Sequence, residues 1–214
     1  MSQSVSERRP SCGGRFHILR TERLIMRSPT WRDTMAAFAG AADDDAQRWL
    51  GWTADSIAPP PVRSQMLATP PEGGERPEQP TQNNGRLVAI DPEQQRIAGL
   101  ASLVAMPGGV QVGGWLAPDF RGRGLGAELF AGAAEYAHRH LQFPLLRAGI
   151  EDGNVACHKA LAAAGFVPAD GPPTFRLENG REIRSRWFEH VDGTPGRCPA
   201  EGRIEAPVQR EDPD

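Results

Sequence analysis

Arginine and glycine alternate through Arg121-Gly122-Arg123-Gly124-Leu125-Gly126, just after an apolar run that ends at Ala117-Pro118. Glycine lets a backbone come close to a ligand and turn its N–H groups toward it. A helix that begins at the end of such a loop adds unpaired N–H groups and the positive end of its dipole. Arg121 and Arg123 add two positive charges. A strand, a basic glycine loop and a helix start together suit a phosphate-bearing ligand.

A second group of reactive types lies downstream, in Glu151-Asp152-Gly153-Asn154 and in Cys157-His158. Glu151 follows an apolar strand-like run and could take a proton from a nucleophile. His158 is the second candidate base. Asn154 could cap a helix or hydrogen-bond a ligand, or do both. The histidines are scattered, and His138 and His140 stand two apart on a helical run, so they point to different faces; no metal constellation is expected.

The loop fits two ligand classes. Gly122, Gly124 and Ala127 satisfy the dinucleotide pattern G-x-G-x-x-G/A literally. That pattern normally follows the first strand of a parallel series, and none surrounds it here. Arg121, Gly124 and Gly126 fit equally the pattern R/Q-x-x-G-x-G/A, which cradles acyl-coenzyme A. A plain surface loop with solvated arginines is the third reading.

The 214 residues allow one ordinary domain with tails, and a net charge of −3 argues against a nucleic-acid binder. Lys159 is the single lysine among many arginines, a bias of composition rather than chemistry. Cys12, Cys157 and Cys198 show no disulfide or metal spacing. The chain has no apolar run long enough for a membrane span and no apolar signal core. A soluble, cytoplasmic protein that does not engage a membrane is expected.

Around the loop the elements follow from periodicity. Residues 1–14 and 192–214 are polar and rich in Pro and Gly, and both are expected to be disordered tails. Between them, 15–191 is expected to be one domain. His17 to Arg27 reads as a first strand, with Leu24 and Met26 alternating against Arg23, Ile25 and Arg27. Thr30 or Asp33 caps a helix through Met35 and Phe38, and Asp43-Asp44-Asp45 opens another. Residues 53–85, crowded with proline, read as a mobile insertion with one short helix around Val62 to Leu67. Arg86 to Ile90 and Arg96 to Val104 pair as antiparallel strands, and Met106 to Gly109 turns into Val110 to Leu116. Ala127 to Leu141 carries Leu129, Phe130, Ala133 and Ala137 at helical spacing. Leu145 to Ile150 reads as a buried strand, Asn154 to Gly165 as a capped helix, and Thr174 to His190 as a hairpin turning at Asn179-Gly180.

This order resembles the GNAT superfamily of N-acetyltransferases. Asn154-Val-Ala-Cys-His158 followed by Gly165-Phe166 is similar to the family's N-x-x-S helix and its G-F. Thr21-Glu-Arg-Leu-Ile-Met-Arg27 and Trp115-Leu-Ala-Pro118 resemble the subgroup of ribosomal-protein N-terminal acetyltransferases. The resemblance spans about Phe16 to Val191. It implies an α+β fold, a mixed and mostly antiparallel sheet flanked by helices. It implies acetyl-CoA as the acyl donor and an amine as the acceptor, on a protein N-terminus or a small molecule, in a monomer or homodimer. Trp115, Leu116 and Ala117 would then pair with the pantetheine arm, and an N–H near Leu116 would face the thioester oxygen. Arg121, Gly122, Arg123, Gly124, Leu125 and Gly126 would hold the pyrophosphate, with Asn154 and Cys157 beside the pantetheine.

The sequence departs from the family pattern in three places. Its single tyrosine, Tyr136, lies inside a helix, away from the place of the usual tyrosine acid. Cys157 replaces a serine. Gln111 stands where many members have a glutamate base, and an amide accepts no proton. A coenzyme A-binding module without catalysis therefore stands as the alternative. An α-amine (pKa about 8) loses its proton at neutral pH for about 1 kcal/mol, whereas a lysine amine costs roughly 4.6. A site without a strong base thus suits an α-amino acceptor.

Overall fold

The computed structural model describes residues 17–41, 43–52, 61, 65, 68, 70–72, 85–106 and 109–191. The two expected tails, most of the expected insertion and most of the expected helix around Val62 to Leu67 lie outside these residues.

The first expected strand is two short ones, β1 (Ile18–Arg20) and β2 (Ile25–Arg27), paired antiparallel. Thr21 breaks the run. Its N–H donates to the Leu24 carbonyl, and its hydroxyl accepts from the Leu24 N–H, so a local side-chain turn competes with strand pairing. The expected alternation also fails at Arg27, which is fully buried beside Asp33 at 2.7 Å. Asp33 closes a capping box with Thr30 at the start of α1 (Trp31–Gly40). Asp43 caps α2 (Asp44–Leu50).

β3 (Arg86–Asp91), β4 (Arg96–Met106) and β5 (Gly109–Leu116) form an antiparallel meander. A 3-10 turn at Pro118–Phe120 leads into the Arg-Gly loop and α3 (Leu125–Glu135), which continues as a π-helical turn, Tyr136–His140. β6 (Leu145–Glu151) then runs parallel to β5 and precedes α4 (Val155–Ala163). β7 (Val167–Ala169), β8 (Thr174–Arg176) and β9 (Glu182–Val191) complete the sheet, with β8 and β9 joined at Asn179-Gly180 as expected. The strand order is β1-β2-β3-β4-β5-β6-β9-β7, with β8 also on β9.

Helices cover both faces. A Cβ on Gly114 would lie 3.2 Å from Leu129 of α3, and one on Gly132 would strike the Met26 sulfur at 2.3 Å. α3 therefore lies against one face, across β2 to β5. The opposite face carries α1, whose Phe38 ring sits 5.2 Å from the Arg86 guanidinium. The core between them holds Leu87, Ile97, Leu100, Phe120, Leu129 and Leu146, all nearly inaccessible. This is the mixed, mostly antiparallel sheet flanked by helices that the resemblance implies.

Candidate active site

β5 and β6 pair only at Val110–Leu146 and Gln111–Arg147. Beyond that point no register joins them, so the two parallel strands open into a wedge. In an antiparallel ladder each residue points its N–H and C=O the same way, and the direction alternates along the strand. The Ala117 N–H donates to Ala98 of β4 at 2.8 Å. A Cβ on Gly99 would meet the Trp115 carbonyl oxygen at 2.3 Å. Ala117 and Trp115 thus face β4, and Leu116, Gly114 and Val112 face the wedge. Of the three expected strand-edge residues, Leu116 is the one whose N–H points to the opening. Its carbonyl is already taken by the Arg121 Nε at 2.9 Å. The Trp115 indole is buried, and its Nε1 has no hydrogen-bond partner among the described residues.

The loop sits at the end of β5. Gly122 (φ 71°) and Gly124 (φ 79°) are both left-handed, a region that disfavours other residues. Gly124 caps α3 with no side-chain hydrogen bond among the described residues, and a Cβ there would lie 3.5 Å from the Arg23 guanidinium. Gly126 has a different job: a Cβ there would come within 3.1 Å of the Ala160 Cβ, so its absence lets α3 and α4 approach closely.

A brace under this loop was not foreseen. Arg23 donates to the Arg123 carbonyl at 2.7 Å and, through its backbone and its Nε, to Glu128 in the first turn of α3. The Thr21 hydroxyl donates to the same carboxylate at 2.7 Å. Burial raises the proton affinity of Glu128, but the bonds from Thr21 and Arg23 outweigh it and hold the carboxyl below its ordinary value. Thr21-Glu-Arg was visible as a motif. Its partner lies more than a hundred residues away, beyond any spacing rule.

The expected charges are mostly paired. Arg121 grips Asp43 through both Nη groups at 2.8 and 2.7 Å, and Asp45 lies 3.8 Å away. Burial opposes the Asp43 charge, and the Arg121 hydrogen bond leads the effects that still hold its pKa low. Glu151 ends β6 on the other lip of the wedge, and both its oxygens accept from Arg181, at 2.9 and 2.8 Å. Asp152 pairs with Arg186. Asp43, Glu151 and Asp152 are thus each paired with an arginine.

The Asn154 Oδ1 accepts from the Cys157 N–H at 3.2 Å, so the amide is a helix cap here. Burial pushes the Cys157 thiol up to about 12, which keeps it a neutral thiol. His158 turns to the sheet, its ring 5.4 Å from Phe188 and its Nε2 buried without a hydrogen-bond partner among the described residues. Tyr136 is buried in the π-helical turn, and burial raises its pKa further. It supplies no acid at the wedge. Among the described residues no group of three or more His, Cys, Asp or Glu side chains is placed to hold a metal, and no helix is long and apolar enough to cross a membrane.

A sheet split between two parallel strands, with a glycine loop and helix start at one lip, defines an acyl-CoA N-acyltransferase architecture. A family model described as an acetyltransferase (GNAT) domain matches residues 23–167, more than half of the chain. The GNAT-family acetyltransferase of Bacillus anthracis superposes with a TM-score of 0.59 at 13% identity, covering 82% of this chain and 98% of that one. The ribosomal-protein-S5-alanine acetyltransferase of Vibrio fischeri gives 0.59 at 15% identity, covering 83% and 97%. An acetyltransferase of Agrobacterium tumefaciens gives 0.55 at 18%, covering 81% and 94%. At such identities these likenesses speak to the fold. No curated protein matches the chain in sequence. The chain belongs to the GNAT acetyltransferase family and is an acyltransferase; the family moves acetyl groups from acetyl-CoA to amines.

Proposed function

We propose that this protein transfers an acetyl group from acetyl-CoA to an α-amino group, on a peptide, a protein or a small molecule. The observation that carries this reading is the wedge. Its β5 lip presents the Leu116 N–H, and the left-handed glycines and open start of α3 lie directly beyond. The pyrophosphate lies against the N–H groups from Gly122 to Gly126, since the Arg121 N–H is donated to the Pro118 carbonyl at 3.2 Å, and the pantetheine arm enters between β5 and β6 as an added strand would.

The amine attacks the thioester carbonyl while neutral. A carbon–nitrogen bond forms, and the oxyanion is held by the Leu116 N–H. The carbon–sulfur bond then breaks. The coenzyme thiolate, with a pKa of about 8.5 if it behaves like cysteine, leaves without a strong acid. The amine's proton passes to Glu151 directly or through water and then to the thiolate or solvent. A carboxylate is a weak base, which suits an α-amine and not a lysine. His158 would serve only if it turned away from Phe188.

The test is a panel of peptides and small amines with acetyl-CoA, read by product mass. Turnover of α-amines supports the proposal. Coenzyme A binding with no turnover on any amine would leave a binding module in its place.

A further inference from the structure

Helix α2 touches both lips of the wedge. At its start Asp43 accepts from the Ala46 N–H at 3.2 Å and from both Nη groups of Arg121. The same guanidinium donates its Nε to the Leu116 carbonyl, so one side chain fastens the end of β5 to the helix. At the other end of α2, Arg181 donates to the Arg48 carbonyl and to both oxygens of Glu151, fastening the end of β6 to the helix. The Asn179 N–H donates to the Gly51 carbonyl at 2.9 Å. Gly51 itself is left-handed (φ 72°), and a Cβ there would lie 2.4 Å from the Leu177 Cβ, so the β8–β9 turn packs directly onto the end of α2. At 1.5 Å per residue, this helix bridges roughly 10 Å.

Bidentate arginine–carboxylate pairs fix direction as well as distance. Their partial exposure limits what they add to stability. Their consequence is positional. Any ligand that fixes Arg121 and Leu116 also fixes Asp43, then α2, then the hairpin tip and Glu151. We infer that α2 is a strut coupling the coenzyme loop to the acceptor lip, with Asp43 and Arg181 as its positioning residues. The terms coenzyme loop and acceptor lip rest on the proposed function; the mechanical link does not. Coupling of this kind is reciprocal, so disturbing either end alters affinity at the other.

Hydrogen exchange on the ligand-free chain tests the link first. Asp43→Asn keeps a capping oxygen, so α2 persists, but it loses the charged fork. It should speed exchange at 177–181, to which Asp43 makes no hydrogen bond among the described residues. Arg181→Gln should speed exchange at 116–124, where Arg181 has no hydrogen bond among the described residues. Calorimetry with coenzyme A should then show Arg181→Gln weakening affinity roughly fivefold. A merely local role for Arg181 would not move that number. The inference is overturned if each variant changes exchange only around its own end. Should coenzyme A fail to bind the unaltered chain, the proposed function falls, and the ligand-free exchange still decides the strut.

Discussion

Arg27 holds a full charge where no water reaches it, and the residues around it explain how. Asp33 accepts from it at 2.7 Å, and its Nη groups also donate to the carbonyls of Ser28 and Glu72. Asp33 in turn accepts from the N–H groups of Thr30 and Glu72. The pair thus grips both backbone groups of Glu72 and ties a point between residues 53 and 84 to α1. Removing one partner strands the other charge, a loss of roughly 3 to 5 kcal/mol. Asp33→Ala should lower the urea midpoint accordingly, whereas an unchanged midpoint would show the pair to be incidental. Glu151→Gln tests a different residue role. It should cut kcat far more than it changes acetyl-CoA affinity, and the acidic limb of the pH–rate profile should move. An unaltered kcat and limb would send the proton elsewhere.

At the scale of elements, much was legible because local chemistry sets it. The capping oxygens of Thr30, Asp43 and Asn154, the turn at Asn179-Gly180 and the strand β6 all stand where their residue types place them, although β6 is buried only at alternate residues. The Arg-Gly loop was legible for the same reason, since left-handed glycines before a helix leave few other shapes. What was hidden depends on partners distant in sequence. Nothing near Glu151 announces Arg181, nothing near Arg121 says that its fork closes on Asp43, and the Thr21 turn shows only when its own hydroxyl is seen to compete with the strand. Where β5 and β6 part is likewise a property of the whole sheet. The loop carries a direct prediction. Gly124→Asp forces a Cβ into left-handed backbone and puts a carboxylate at the helix start, so coenzyme A binding should vanish in calorimetry while circular dichroism stays unchanged. Retained affinity would remove the loop from the site.

For the whole molecule, acid is the revealing perturbant. His17 packs on Tyr136 and His140, its Nδ1 3.3 Å from that of His140. Burial first, and His140 second, lower its pKa from 6.5 to about 4. Burial also lowers His140, with Glu135 opposing and Arg139 assisting. The unfolded chain therefore takes protons between pH 6.5 and 4 that the folded chain refuses. Stability is complete above about 6.5 and declines through that window. Asp43 and Glu128, whose folded pKa values are depressed, add a further loss at lower pH, as each is protonated. Thermal unfolding should track this decline, and His17→Gln should flatten its upper part; an identical decline in the variant would contradict the assignment. A chain of residues 15–191 should fold and bind coenzyme A like the full one, because the flanking segments carry too little apolar surface to repay ordering.

The central claim is acetyl transfer to an α-amine at the wedge. It is met most directly by one peptide carrying both a free N-terminus and an internal lysine, incubated at neutral pH with acetyl-CoA and this protein. Fragment mass spectra should place the acetyl group on the N-terminus, and Gly124→Asp should abolish it. Acetylation that favours the lysine, or that survives Gly124→Asp, would contradict the account.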